Sequence, residues 1–337
     1  MFGAFSLLTS PIAVAETALT SIESTANLEA ALKAYQSGQI DKALSLGKTA
    51  ARAGSSDAAV MVGHILRKGE AGRIDKEEAR RWYDMAAMKG HPDALVALGE
   101  MGLKRQAGLS QAEAASYLMR AAESGRTDAM RALADMYRTG QGVKADKEQE
   151  QYWLKKASQS YDPKGAKALG DSLFESDPKA ALKAYEQAAA AGHVEAAYIA
   201  GIMYVENFEI RPDEQKSANW LRVAAEGGHP AGMADYGLYV YQGVGAKRSE
   251  KEAAAWFQKS AQAGDSEGQF LYAFTLAKGE GVTQSFEDAY YWLLKAEQTA
   301  PGNDVDSYRQ DREALKKRLE ENVAPGVLAR ARAKLEN

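Results

Sequence analysis

The sequence predicts an all-α solenoid of about eight repeated helix pairs, closed by a C-terminal pair of capping helices. Three observations support this fold: an apolar anchor recurs about every 36 residues, a Gly usually follows eight residues after it, and a small residue follows seventeen after it. Repeats of this length are typical of stacked helical hairpins. Of the 337 residues, 45% are hydrophobic, which is enough to build a continuous core.

The anchors hold one position of the repeat, and all five Trp residues of the chain are among them. They are Leu46, Trp82, Tyr117, Trp153, Ala184, Trp220, Trp256 and Trp292. Because the Trp residues share this position, packing within the repeat explains them better than stacking on a sugar or a base. We expect them in the second helix of each pair, facing the core.

A small residue interrupts the apolar stripe of each first helix. These residues are Gly63, Gly99, Ala134, Gly170, Gly201, Gly237 and Ala273. Gly inside a helix costs about 1 kcal/mol relative to Ala. Its recurrence therefore predicts that another helix approaches too closely at this point to leave room for a side chain.

Glycines also mark the turns. Gly-x-Gly segments at 140–142, 243–245 and 279–281 predict tight turns with positive φ, and Asn207 is expected to be left-handed in the corresponding turn of the fifth pair. His91, His193 and His229 each follow a helix-closing Gly. Because these His residues are distributed over separate repeats, we expect them to serve the turns and not to bind a metal.

The pattern Leu-Gly-x-x-Tyr-x-x-Gly-x-Gly-Val…Lys-Ala…Trp-Tyr-x-x-Ala-Ala-x-x-Gly-His resembles the Sel1-like repeats, a branch of the tetratricopeptide-like α/α solenoids. The resemblance covers about residues 28–301 and is weakest in the repeats led by Leu46 and Ala184. It implies a right-handed superhelix. Many members of this family carry a disulfide in each repeat, but this chain has no Cys, so stacking alone must stabilise it.

The two ends depart from the repeat. Residues 1–15 end in Ala13-Val14-Ala15, which predicts a signal peptide cleaved after Ala15 and a periplasmic or secreted protein. No Lys or Arg precedes the apolar run, so two alternatives stand: a start farther upstream, or a buried N-terminal helix in a cytosolic scaffold. We assign 16–27 to a linker and 28–302 to the solenoid.

Residues 303–337 are expected to form capping helices, the first apolar at Leu315 and Leu319 and the second following Pro325. A partner-binding tail is the alternative. No run of apolar residues approaches the roughly 20 needed for a transmembrane helix.

Composition argues against several kinds of function. The net charge of −4 disfavours a nucleic-acid partner, and the absence of Cys excludes a thiolate nucleophile. No phosphate-binding loop, paired metal ligands or catalytic carboxylate pair stands out. We therefore expect no enzyme activity, cofactor or metal. A cell-wall-active enzyme is the less favoured alternative.

The family resemblance places the first helices on the concave side of the solenoid and implies a non-catalytic adaptor or regulator of partner proteins. Sensor-kinase regulation and scaffolding of exopolysaccharide export or secretion are the roles it suggests. The concave positions are charged in the N-terminal repeats and apolar in the C-terminal ones. The candidate binding residues are Tyr198, Ile202, Leu238, Tyr241, Phe270, Phe274, Arg131 and Arg138. The alternative is that curvature buries these side chains between neighbouring first helices.

Overall fold

The structure, a computed structural model, describes residues 11–300 and 308–336, and in these residues it contains eighteen α-helices and no strand. The helices are α1 (Pro11–Gln36), α2 (Ile40–Arg52), α3 (Ser56–Lys68), α4 (Lys76–Met88), α5 (Pro92–Leu103), α6 (Gln111–Glu123), α7 (Thr127–Thr139), α8 (Lys147–Gln159), α9 (Pro163–Leu173), α10 (Pro178–Ala190), α11 (Val194–Glu206), α12 (Glu214–Glu226), α13 (Pro230–Gln242), α14 (Glu250–Gln262), α15 (Ser266–Lys278), α16 (Phe286–Thr299), α17 (Arg309–Asn322) and α18 (Pro325–Glu336).

The first sixteen helices form eight consecutive pairs. The two helices of a pair contact each other more extensively than they contact any other helix, and each second helix then packs on the first helix of the next pair. This description applies within each of the two compact units of the chain, the first ending at Ser160 and the second beginning at Tyr161. The predicted all-α solenoid of helix pairs is confirmed.

The small residues of the first helices lie where the two helices of a pair come closest. A Cβ at Gly99 would lie 2.5 Å from Cγ of Leu118, and a Cβ at Gly237 would lie 2.7 Å from the ring of Phe257. The predicted close approach is confirmed, and the approaching helix is the second helix of the same pair.

The residue that fills the space above each small residue is the one directly after the anchor. Tyr83, Leu221 and Phe257 are almost completely buried at this position. By contrast, the anchors Trp220 and Trp256 are only half-buried. These two Trp side chains nevertheless pack against the core clusters, so the expected core-facing position holds, although each is less buried than the residue that follows it.

The turns follow the predicted backbone conformation with one exception. Gly279 and Gly281 have φ of 75° and 74°, and the other two Gly-x-Gly turns are also left-handed. Asn207 is not left-handed as expected: its φ is −90° and its ψ is 118°. Its side-chain oxygen instead accepts a hydrogen bond from the backbone N–H of Glu209 at 3.0 Å, which satisfies the turn without positive φ.

The three turn histidines are N-caps of the helices that follow them. For example, Nδ1 of His229 accepts a hydrogen bond from the backbone N–H of Gly232 at 3.0 Å. His91 and His193 cap α5 and α11 in the same way. Within the described ranges, no group of three or more His, Asp or Glu side chains is arranged to hold a metal ion.

Helix α1 extends over the stretch expected to be a linker. Residues 16–27 are helical throughout, and buried Ser24 donates a hydrogen bond from its hydroxyl to the carbonyl oxygen of Ala50 at 3.2 Å. The first ten residues of the proposed signal sequence lie outside the described residues, so cleavage after Ala15 stays a prediction. Among the described helices, none combines the length and apolar character needed to cross a membrane.

The C-terminal helices cover the last helix pair. Leu319 of α17 and Leu328 and Ala331 of α18 are buried in the same core cluster as Leu293 of α16. Charged contacts surround this core, including Lys316 with Glu297 at 2.8 Å. The two helices therefore pack as a polar cover of the solenoid end.

Candidate partner-binding groove

The structure brings six of the eight candidate binding residues together in the second unit. They lie on its successive first helices α11, α13 and α15, and α13 contacts α15 directly. We name this surface the aromatic groove and define it by Tyr198, Ile202, Leu238, Tyr241, Phe270 and Phe274. Five of these side chains, all except Phe270, are half-buried and so still reach the surface. Four of the five pack against one core cluster, and Phe274 is the exception.

A cavity of about 340 Å³ opens in the aromatic groove. Leu238, Tyr241, Phe270 and Phe274 line one side of it. Helix α17 also lines the cavity. The lining residues just before and within this helix are Tyr308, Asp311, Ala314, Leu315 and Arg318. Capping helices were predicted for residues 303–337, with a partner-binding tail as the alternative. Neither prediction placed α17 beside the first helices that line the cavity.

Phe270 forms the floor of the cavity. Its side chain is only 5% exposed. The ring of Tyr308 lies over it, with the two ring centroids 5.3 Å apart. Phe270 is therefore buried, as the alternative had it, but the side chain that lies against its ring is Tyr308, the residue before α17.

One edge of the groove has balanced charges. The hydroxyl of Tyr241 donates a 2.5 Å hydrogen bond to Glu280, and this bond, followed by burial, raises the pKa of Tyr241 to about 12. Lys278 lies 3.2 Å from the same carboxylate and 4.3 Å from the ring centroid of Phe274. The carboxylate and the ammonium thus neutralise each other beside the two aromatic rings.

A carboxylate on α13, three residues before Leu238, has no such partner. Asp235 on α13 is half-buried, and the described residues place no Lys, Arg or His in an ion pair with it. Burial raises the pKa of Asp235 to about 6, and the nearby carboxylates of Asp265 and Glu206 contribute. A hydrogen bond from the hydroxyl of Tyr198 acts in the opposite direction.

Tyr198 is positioned by the turn before α13. Its ring stacks on His229, with centroids 4.2 Å apart and planes inclined by 17°. Nε2 of His229 in turn lies 2.9 Å from Glu195. The N-cap of α13 therefore also orients the hydroxyl that faces Asp235.

Comparison of the repeats would have identified Asp235. It stands two residues before the small residue of its first helix, a position that is apolar or small in the other pairs. The corresponding residues are Met61, Ala97, Ala132, Ala168, Ile199 and Leu271. The binding residues predicted on this helix, Leu238 and Tyr241, stand at other positions of the repeat.

Replacing Asp235 with Asn is expected to stabilise the protein at pH 8 by about 1–2 kcal/mol and to have little effect at pH 4. The pKa of Asp235 is raised in the folded state. Between the ordinary carboxyl pKa and this raised value, the folded protein therefore keeps a proton that the unfolded chain has released. Wild-type stability is therefore lost as the pH rises through this range, and Asn has no such loss.

Urea denaturation of the two proteins at pH 4, 6 and 8 measures this difference. Glu209→Gln, which removes an exposed carboxylate of the same unit, is the control and should show no such pH-dependent gain. Equal stabilities of the wild type and Asp235→Asn at pH 8 would contradict the prediction.

The two remaining candidate residues, Arg131 and Arg138, lie on α7 in the first unit. Arg138 forms an ion pair with Asp135 on the same helix, and Arg131 is half-buried near Asp128. Between α3 and α5, Arg67 contacts Glu100 at 3.0 Å. The charged first-helix surface of this unit thus consists partly of internal ion pairs.

A family model matches more than half of the chain. The model is the Sel1 repeat, and the matched segments are 56–91, 127–162, 168–193, 194–229, 230–265 and 266–298. The repeat led by Ala184, expected to be degraded, is matched, whereas the matched segments omit the one led by Tyr117.

Two solved structures are similar to this chain, and the first shares its fold. The crystal structure of a Sel1 repeat protein from Oxalobacter formigenes is similar with a TM-score of 0.66 at 23% identity, covering 93% of this chain and 95% of that one. That of c5321, a protective antigen of uropathogenic Escherichia coli with an SLR fold, has a TM-score of 0.39 at 20% identity, covering 96% and 85%.

A sequence relative, an uncharacterised protein of Neisseria meningitidis serogroup B, is 27% identical over 198 residues. The aligned part is 57% of this chain and 41% of the relative, so this chain spans less than half of that protein.

Proposed function

This chain belongs to the Sel1 repeat family, and on that premise we propose that it is a non-catalytic adaptor that binds a partner polypeptide in the aromatic groove. The observation that carries the proposal is the cavity of about 340 Å³, lined by aromatic and aliphatic side chains of two successive first helices. Contiguous apolar surface on a protein marks interaction sites, and aromatic side chains anchored in a pocket contribute most of the affinity.

The side chains of the groove are suited to binding because the core already holds them. Tyr241 is fixed by Glu280, and Phe274 lies beneath Lys278. A partner that contacts these residues therefore orders few additional rotatable bonds, and this lowers the entropic cost of association.

The test is the triple variant Tyr198→Ala, Tyr241→Ala and Phe274→Ala. Partners are first recovered from the native host by cross-linking and affinity purification with the wild-type chain, and affinities are then measured with purified proteins. We expect the triple variant to bind at least tenfold more weakly, since it lacks three of the aromatic contacts.

Phe208→Ala is the matched control, because this aromatic side chain is also in the second unit and is fully exposed outside the groove. It should bind like the wild type. A triple variant that retains its helical circular dichroism and its affinity would refute the proposal.

We further propose that the protein is exported and acts in the periplasm. The Ala13-Val14-Ala15 triplet after a short apolar run supports this location, and the roles that the family resemblance suggests, sensor-kinase regulation or scaffolding of exopolysaccharide export or secretion, fit it. Mass spectrometry of the protein from its host provides the test. A mature chain starting at Glu16 is expected, whereas an intact Met1 would favour the cytosolic scaffold.

A further inference from the structure

We infer that the aromatic groove binds a segment in which a Lys or Arg side chain stands next to a large apolar side chain, with the apolar group in the cavity and the cation beside Asp235. This inference rests on the proposed function and specifies the chemistry of the partner.

The cavity selects an apolar side chain. Its walls are mainly the side chains of Leu238, Phe270, Phe274 and Leu315. A volume of about 340 Å³ is at the lower end of the range for ligand pockets, so one or two large side chains fit it better than an extended cofactor.

Asp235 is unnecessary for the repeat fold. Its counterparts in the other six pairs with a small residue in the first helix are all apolar or small, so packing of the helix pair does not need a carboxylate there. The half-buried charge is an exception to the local pattern, and such exceptions are concentrated at functional sites.

The surroundings of Asp235 supply hydroxyl groups and aromatic rings in place of a cation. The hydroxyl of Tyr198 donates a hydrogen bond to Asp235, and the negative charge of Asp235 contributes to the raised pKa values of Tyr239 and Tyr308. Asp235 stands three residues before Leu238 on α13, one helical turn from a residue that lines the cavity, so it lies beside that part of the groove. A carboxylate beside aromatic rings attracts an ammonium or guanidinium group through both its charge and the ring faces.

A second carboxylate adds negative charge at the end of the cavity near Asp235. Asp311 is exposed and lines the cavity, and its negative charge contributes to the raised pKa of Tyr308. It forms no ion pair with another described residue. Arg318 lines the cavity two turns farther along α17, roughly 10 Å away along the helix axis. The end near Asp235 is therefore negative, and an acidic segment there would be repelled.

The test uses phage display of a random 12-residue peptide library on the immobilised full chain at pH 7.5. Enriched peptides are expected to carry Lys or Arg within two residues of an aromatic or large aliphatic residue. Synthetic versions should bind Asp235→Asn about tenfold more weakly than the wild type and should bind Glu209→Gln with unchanged affinity. Asn keeps an oxygen that accepts the hydrogen bond from Tyr198, so the fold is preserved.

The outcomes separate this inference from the proposed function. Enriched peptides without basic residues, or peptides that bind Asp235→Asn as well as the wild type, would overturn the inference alone if the triple aromatic variant fails to bind them. Peptides that bind the triple variant normally, or a selection that enriches none, would overturn the groove as a binding site as well.

Discussion

Replacing Gly281 with Ala is expected to destabilise the second unit by about 3–5 kcal/mol. Two effects combine. Gly281 has φ of 74°, a conformation that costs an L-residue about 1–2 kcal/mol. In addition, an added Cβ would lie 2.2 Å from the carbonyl oxygen of Glu250 and 2.4 Å from its carbonyl carbon. These atoms belong to the first residue of α14, so relief requires the helix start to move.

Gly279→Ala has the first effect without the severe contact, so its comparison with Gly281→Ala gives the size of the second effect. Gly279 has nearly the same φ, 75°, but its added Cβ would come no closer to another atom than 3.2 Å, to the side-chain Cβ of Gln284, and the backbone atoms of Gln284 are at 3.6 Å or more. We expect this variant to lose about 1–2 kcal/mol. Urea denaturation followed by circular dichroism measures both variants, and equal losses would show that the contact with α14 has no energetic importance.

The same contact recurs in other repeats. A Cβ at Gly142 would lie 2.2 Å from the carbonyl oxygen of Gln111, and one at Gly245 would lie 2.3 Å from that of Glu214. Gln111 and Glu214 begin α6 and α12. The second Gly of each turn thus allows the turn to pack closely against the first residue of the second helix in the preceding pair. This close contact sets the distance between neighbouring repeats.

The repeat made the helix pairs and turns predictable, because each feature was observed several times in one chain. The close approach at Gly99 and the positive φ at Gly279 followed from this repetition. The repeat pattern could not show which of two adjacent residues in one helix fills the core. Trp256 and Phe257 are both large and apolar in the sequence, and only the rotation of α14 decides that Phe257 fills the core.

The candidate groove was predictable only as far as the repeat extends. Tyr241 and Phe274 could be placed on one surface because their repeat positions are equivalent. Helix α17 lies outside the repeat, so no register indicated that Tyr308 would cover Phe270 or that Leu315 would face the cavity. Asp235 had a sequence signal, but only as a departure from its equivalents in the other pairs.

Tyr290 connects the last repeat to both C-terminal helices. Its side chain is completely buried in α16. The hydroxyl donates a 2.6 Å hydrogen bond to Glu320 of α17 and accepts one from Arg332 of α18 at 2.7 Å. Replacing Tyr290 with Ala is therefore expected to cost about 4–5 kcal/mol, since it leaves a ring-sized cavity and removes the group that both helices bond.

The conservative change separates packing from hydrogen bonding. Tyr290→Phe keeps the ring and should lose about 1–2 kcal/mol. Phe286→Ala removes a 40%-exposed ring from the same helix and should lose less than either. Denaturation gives the three values, and trypsin should cleave α17 and α18 rapidly only in Tyr290→Ala, because these helices then open more often. If Tyr290→Ala is no less stable than Tyr290→Phe, the ring is not what holds the C-terminal helices on the solenoid.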